Sequence, residues 1–580
     1  MNRTYCIAEM KFTDVTALSD ATVESFCNQS FGNTDIFKKE TDQENYGTFE
    51  LNQFVLDGSR SILPESPGDI AFWSKEMSKD DCTFEQNPKI QVSFKENHSS
   101  SGITLYFAED YPEEIMITWY TLSGTKLDTM SFHPTSRVFC CVNQVENYGK
   151  IIIEFVKTRL PNRYVKLQYI LYGRYISWKD DLIQTGKVLE EIDETSATLS
   201  INTAEISIID ENNDFDIENE GGAWKSIQKT QEVKISEYVN GTFMDMGKFF
   251  IDEFSFSDNT ASFKLIDRIG LMDQFMYYGG SVYTDVLAEE LLSDIFRSAG
   301  VEKYKIFDEV AKTRLSGYLG IQTCRSALQM VCFACGAVAD DSRSETVSVY
   351  KPDRYTKYTV AADRKFFGST EVTLDKYVSG VSIECTRYDL EAEASEIYND
   401  TLMKGKTRIE FSDPYLASSI NASVGVLIEA KTNYLVIEMP ETGNCMITGK
   451  KFAATKFAYQ KNVEVVEAGE SENQKKYGIC TLYNMELLPE LTERLLKYHA
   501  LRKKVDLEYL VEQEQVGNWI NINSVTGKMA TTLIEKQDID LAGGFIASAS
   551  CRGYSRVVTE DYFAGEGVAI ELYMNGDVIA

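Results

Sequence analysis

Histidine, cysteine and paired carboxylates are the residue types from which hydrolytic, redox and metal chemistry are built. Of 580 residues only three are histidine. His98, His133 and His499 lie in two distant regions, so a nucleophilic triad or a His-rich zinc site has little raw material. His499 stands among Lys497, Arg502 and Lys503, a setting that predicts a solvated position on a helix. The chain has no Gly-x-Ser-x-Gly elbow, phosphate loop or His-Glu-x-x-His sequence. Cys332-Phe-Ala-Cys335 has redox or zinc spacing, yet both thiols fall on the apolar stripe of a predicted helix and no second pair follows, so they are expected to pack in a core. The acidic stretch Asp210–Asp216 suggests a calcium loop. Phe215, however, takes the position that needs glycine and Gly221 the position that needs a bidentate glutamate, so a solvated turn is the expectation. With 89 acidic residues, carboxylate pairs occur everywhere and none stands out as a glycosidase pair. No catalytic residue, metal ligand or cofactor is therefore predicted. For carbohydrate binding, Trp73, Trp119 and Tyr120 could stack on a sugar. Trp119 and Tyr120 alternate within an apparent strand, so one of them belongs to a core; Trp73, in a loop-like stretch, is the sugar-binding candidate.

The elements that must position these groups are mainly strands. Ten prolines stand against 32 tyrosines and 31 phenylalanines, and β-branched residues recur in short runs, a balance that favours β-structure. A length of 580 residues with 43% hydrophobic content predicts three to five folded domains. The net charge of -31 repels phosphate backbones and anionic lipid, which disfavours specific nucleic-acid binding. No run approaches a membrane span, and the start MNRTYCIAEMKFTD lacks the pattern of a signal peptide, so synthesis and assembly in a cytoplasm are expected. The 12 scattered cysteines then read as reduced core thiols.

Strand runs and turn signals divide the chain. Residues 1–174 carry short runs such as Ile90–Phe94, Gly102–Phe107, Ile115–Tyr120 and Lys150–Phe155, the pattern of a β-sandwich. Residues 175–278 carry longer amphipathic strands and a hairpin signal at Asn240-Gly241, and read as a small barrel. Residues 279–352 read as a small α/β module. One of its helices is capped by Thr284, with the stripe Leu287, Ala288, Leu291, Leu292, Ile295 and Phe296 and a stop at Gly300; a second is capped by Thr323 and ended by Gly336. Strands return in 353–480 as a second barrel. A helical segment at 481–504 presents Leu487, Leu491, Leu495 and Tyr498, and strands in 505–580, including Trp519–Asn523, Thr526-Gly527 and Leu541–Gly544, complete the second barrel.

Two resemblances follow from these residues. The order Thr48–Asn52, Leu56–Ser59, Trp73-Ser74, Asn87-Pro88 and Gly102–Phe107 resembles a discoidin-like domain of phage tail proteins, which implies a jelly-roll sandwich that often binds sugar. Over residues 175–556, Phe249–Phe254 with Leu265–Asp267, Thr323–Leu328 with Gly336, Gly449–Phe452, Thr481–Tyr483, Leu496–Tyr498 and Leu541–Phe545 resemble the phage tail hub family. That family includes baseplate hubs of contractile tails and the N-terminal part of tail-associated lysins. The resemblance implies a structural hub of a tail tip or baseplate in the virion: a homotrimer whose two barrels per chain tile a ring that closes or guides the tail tube. Implied partners are the tail tube, distal tail and tip or fibre proteins, the tape measure protein and, through the first domain, a host cell-surface glycan. In lysins the catalytic domain follows the hub region, and no such domain is expected here. The rival readings are a carbohydrate-active enzyme and a receptor-binding adhesin.

Overall fold

The computed structural model describes residues 4–38, 47, 48, 50, 70–108, 110–211, 213–219, 224, 227, 230–239, 241–464, 466, 469–523 and 528–557. Asn240, Gly221, Leu56–Ser59 and Thr526-Gly527 lie outside them. The protein is mainly β and multidomain. Alternation drives the strands of the first unit: along Pro112–Tyr120, Ile115, Ile117 and Trp119 are fully buried while Met116, Thr118 and Tyr120 are half-exposed. Seven strands pair in the order Phe72–Trp73, Lys166–Leu171, Lys89–Phe107, Val138–Thr158, Pro112–Tyr120 and Lys126–Phe132, with Thr22–Glu24 added beside Lys89–Phe107. The two longest shift register three times against each other, which bends them around one core of Ile90, Leu105, Trp119, Tyr148, Ile153 and Phe155. Between Pro112–Tyr120 and Lys126–Phe132, a turn is closed by Gly124 N–H on the Thr121 carbonyl, with Gly124 at φ 85°. The short helix α1 (Val15–Asp20) is capped by Asp14, whose carboxylate accepts from the Ala17 N–H.

The boundary expected at 174 is not a clean break. The strand Tyr5–Thr13 leaves the first unit and pairs with Glu232–Val239 on one side and Gly173–Lys179 on the other. It thereby joins a 13-stranded sheet. From one edge the order runs Glu371–Leu374, Lys503–Leu510, Ile546–Val557, Lys528–Asp540, Ile183–Glu191, Thr203–Ile209, Thr260–Ile266, Thr242–Ser257, Glu232–Val239, Tyr5–Thr13 and Gly173–Lys179. Thr356–Val360 and Trp519–Asn523 attach beside Lys528–Asp540. The two strand groups expected as barrels, in 175–278 and in 353–580, are joined among the described residues into one hydrogen-bonded sheet. The cause is a single seam. Ile183–Glu191 pairs with Thr203–Ile209 along one edge and with Lys528–Asp540 along the other, setting Val188 opposite Ile539. The closing strands pair with Thr356–Val360 and Glu371–Leu374 from the region of the second predicted barrel and, along the seam, with Ile183–Glu191 from the first. One core spans both groups, with Val188, Ile206 and Phe263 from the earlier strands and Ile534, Ile539 and Tyr509 from the later ones.

After Thr260–Ile266 comes the short helix α2 (Arg268–Leu271), capped by Asp267. The α/β module follows with α3 (Ala288–Ser298), α4 (Asp308–Ala311) and α5 (Cys324–Cys335). Helix α3 buries Leu291, Leu292, Ile295 and Phe296 as expected, but Thr284 does not cap it, because Val282–Leu287 is a strand paired with Arg314–Tyr318. Helix α5 begins where the sequence sets it: Thr323 Oγ1 accepts from the Ser326 N–H at 3.2 Å, and Gly336 ends the helix at φ 65°. A hairpin follows as Val338–Asp340 and Val347–Tyr350. In 353–480, the first two strands go to the large sheet, and Gly380–Leu402 and Gly443–Asn462 form a long hairpin. Its outer end carries a small sheet of Gly405–Glu410, Tyr434–Met439 and Val426–Ala430 over its own core of Leu435, Ile437, Cys445 and Ile447. Helix α6 (Leu488–Ala500) packs Leu488, Leu491 and Leu495 into the module core. No helix among the described residues is long and apolar enough to cross a membrane.

Candidate functional site

Where the first unit, the large sheet and the α/β module meet, a cleft of about 440 Å³ opens. Strand alternation delivers its walls. Glu9 and Lys11 come from Tyr5–Thr13, Glu232 and Lys234 from the adjacent Glu232–Val239, and Lys248 from Thr242–Ser257. Tyr106 approaches from the first unit, Tyr175 from the edge strand Gly173–Lys179 of the large sheet, and Lys303 and Glu345 from the module. The half-exposed rings of Tyr106 and Tyr175 stand edge to face, 6.3 Å apart.

Glu345 is the electrostatic hub of this cleft. Its carboxylate lies 2.9 Å from Lys303 Nζ, 3.7 Å from Lys248 and 4.0 Å from Lys234. The hydrogen bond from Lys303 is the main cause that holds Glu345 below the usual carboxylate range. Burial works to lower Lys248, but Glu232 at 3.1 Å and Glu345 outweigh it and raise it. Glu345 and Lys248 therefore keep each other charged at neutral pH, which suits binding and not proton transfer. The arrangement can hold a polar ligand by charge and hydrogen bonds against two aromatic rings.

Trp73 is elsewhere, and its exposed-loop setting is corrected. It lies in the strand Phe72–Trp73 and is only 8% exposed. Phe31 and Tyr164 pack edge to face against it at 5.5 and 5.8 Å, and Lys166 Nζ stands 4.7 Å from the ring centre. Pairing of Trp73 with Lys166 draws the indole under these neighbours, so its face is not presented for stacking on a sugar. Trp119 is core and Tyr120 half-exposed, its ring 4.6 Å from Lys150 Nζ. Of the motif Thr48–Asn52, only Thr48 and Glu50 are described. Glu50 is buried, takes the Tyr164 N–H at 2.8 Å and pairs with Lys166.

The histidines are all engaged. His98 is buried between two carboxylates, its Nδ1 3.0 Å from Asp14 and its Nε2 3.1 Å from Asp20. His133 Nδ1 lies 3.1 Å from the Glu113 carbonyl. The solvated position expected for His499 is corrected: it is half-buried, with Nε2 2.7 Å from Tyr477 Oη, and burial pushes it down to about 4. Cys332 and Cys335 are buried in the module core; burial raises both, Cys335 to about 12, which removes the thiolate that redox or zinc chemistry needs. In the acidic stretch, Asp210 is used up by the N–H groups of Asp214 and Phe215, and Phe215 is core. Among the described residues, no group of three or more His, Cys, Asp or Glu converges as a metal site.

No family model matches the chain, and no curated protein matches it in sequence. Among solved structures, a tail protein from Neisseria meningitidis MC58 is similar at 8% identity and a TM-score of 0.38, over 64% of this chain and 92% of that one. A prophage MuSo2 43 kDa tail protein from Shewanella oneidensis follows at 8% and 0.36, over 63% and 93%. A prophage tail protein from Listeria monocytogenes EGD-e is similar at 10% and 0.35, over 64% and 95%. Likeness at this level identifies no function.

Proposed function

We propose that this chain is a non-enzymatic structural subunit of a tail tip or baseplate hub, built into a homotrimeric ring in a phage or phage-derived particle. The observation that carries this reading is an unprotected apolar edge. Among the described residues, the strand Glu371–Leu374 ends the large sheet and pairs on one side only, with Lys503–Leu510. Val372 and Leu374 are 54% and 68% exposed, and Phe367 beside them is fully exposed. A free monomer with such an edge invites aggregation, whereas a subunit covers it with its neighbour. In a chain of net charge -31, general repulsion between copies leaves association to local apolar patches such as this one. The ring would contact the tail tube, distal tail, tape measure and tip or fibre proteins.

Native mass measurement and negative-stain imaging of the purified protein test this. The expected result is a trimeric ring that Val372→Lys with Leu374→Lys breaks into folded monomers; a wild type that stays monomeric at tens of micromolar sinks the ring. The two tyrosines of the cleft favour one secondary reading, contact with a host glycan, which titration with cell-wall fragments would reveal.

A further inference from the structure

A buried arginine lies unused at the junction of α5 and α6. A cavity of about 120 Å³ is walled by Cys335 and Gly336 at the end of α5, by Lys351 and Pro352 after the strand Val347–Tyr350, and by Leu487, Glu490, Leu491 and Arg494 of α6. The Nε, Nη1 and Nη2 atoms of Arg494 are all buried, and none has a hydrogen-bond partner among the described residues. The guanidinium lies along the Gly336 wall: a Cβ on that glycine would stand 3.7 Å from Arg494 Nε and 3.8 Å from Cζ.

We propose that this cavity binds a small oxyanion, a phosphate or a carboxylate, on Arg494 and Lys351. The proposal is independent of the tail reading.

The chemistry of the walls selects the ligand. A buried guanidinium that bonds to nothing is costly, and its planar fork matches two oxygens of an oxyanion. Lys351 adds a second positive charge; its ammonium stands 3.9 Å from Glu490, a long contact to a side chain 72% exposed. The charged groups facing Arg494 from outside the cavity do not replace an anion. Glu194 is pushed by burial towards its neutral form, and its Oε2 is itself without a partner. Asp193 already accepts from Thr195 and Thr198, and Arg354 is a further cation. In size, one water needs about 10–15 Å³ of such space, so the cavity has room for several atoms of ligand. An anion there would tie the end of α5 to α6 and to the strand that precedes Lys351.

Thermal unfolding and calorimetric titration of the full chain test the site, with inorganic phosphate, acetate and chloride compared at equal ionic strength. Phosphate or acetate should bind saturably and raise the unfolding temperature above the chloride control, and whichever is stronger tells the two chemistries apart. Lys351→Met, at a partly exposed position, should fold and bind at least tenfold more weakly, with Lys351→Arg restoring affinity; Arg494→Met should abolish binding. The proposal is overturned if neither anion exceeds chloride, or if Lys351→Met binds as the wild type does. It is equally overturned if Arg494→Met is more stable than the wild type while the wild type ignores both anions.

Discussion

Arg343 and Glu190 form the buried pair that fastens the module hairpin to the large sheet. Arg343 Nε and Nη2 reach the two Glu190 oxygens at 2.6 and 3.0 Å, and the side chains are 6% and 1% exposed. Replacing Arg343 with methionine leaves a carboxylate buried without its counter-charge, which costs about 3–5 kcal/mol, whereas replacing both partners costs far less. The pH dependence has a definite sign. Burial already raises Glu190 above its usual range, and Arg343 opposes that rise. The folded state therefore holds this proton more tightly than the unfolded state does, so stability falls as pH rises above the ordinary glutamate range. Losing Arg343 raises Glu190 further and steepens the fall. Guanidinium unfolding followed by tryptophan fluorescence, with Trp178 in the core of the same sheet, should show a deficit for Arg343→Met that is large at pH 7.5 and smaller at pH 5. Adding Glu190→Gln should recover most of it. A deficit below about 1 kcal/mol at pH 7.5, or one that does not change with pH, would refute the reasoning.

Trp73→Ala should cost about 3–5 kcal/mol in stability by opening a cavity between Phe31 and Tyr164, and leave any glycan affinity of the folded fraction unchanged, as melting and binding on the same sample would show. Gly336→Ala should destabilise by about 1 kcal/mol or more, since the residue sits at φ 65° at the end of α5; denaturant unfolding reads this directly. His499, held near 4, should show constant NMR ring-proton shifts between pH 5.5 and 8, and an ordinary histidine titration there would contradict its burial. Because its folded pKa lies below the unfolded value, its contribution to stability should decline as pH falls from about 6.5 towards 4.

What the sequence made legible was local. Helix α5 could be bounded because its cap Thr323 and its stop Gly336 act within the segment they delimit. The core face of Pro112–Tyr120 follows from alternation alone. Pairing between distant strands left no such mark: nothing local in Ile183–Glu191 distinguishes Lys528–Asp540 as its neighbour, so the seam that joins the two strand groups was not legible. Thr284 failed as a cap for a related reason, since pairing with Arg314–Tyr318 kept its segment extended against local preference. The site residues were hidden likewise. His98 meets Asp14 and Asp20 from 84 and 78 positions away, and the cleft gathers lysines from strands that only the folded sheet makes adjacent. Trp73 misled because the strand that buries it is two residues long and has no periodicity to read.

The seam between Ile183–Glu191 and Lys528–Asp540 also sets a timetable. A ribosome adds about 5–20 residues per second, so after Glu191 emerges its partner is still tens of seconds from existing. Throughout that interval one edge of the early strands lies open, with Val188 awaiting the cover that Ile539 gives it at the end. Tyr5–Thr13 waits too, first for Gly173–Lys179 and then for Glu232–Val239. The nascent chain thus carries an open strand edge, a site prone to mispairing, during most of its own synthesis. Its expression should respond to the speed of translation across residues 191–528 more than to the stability of the finished fold.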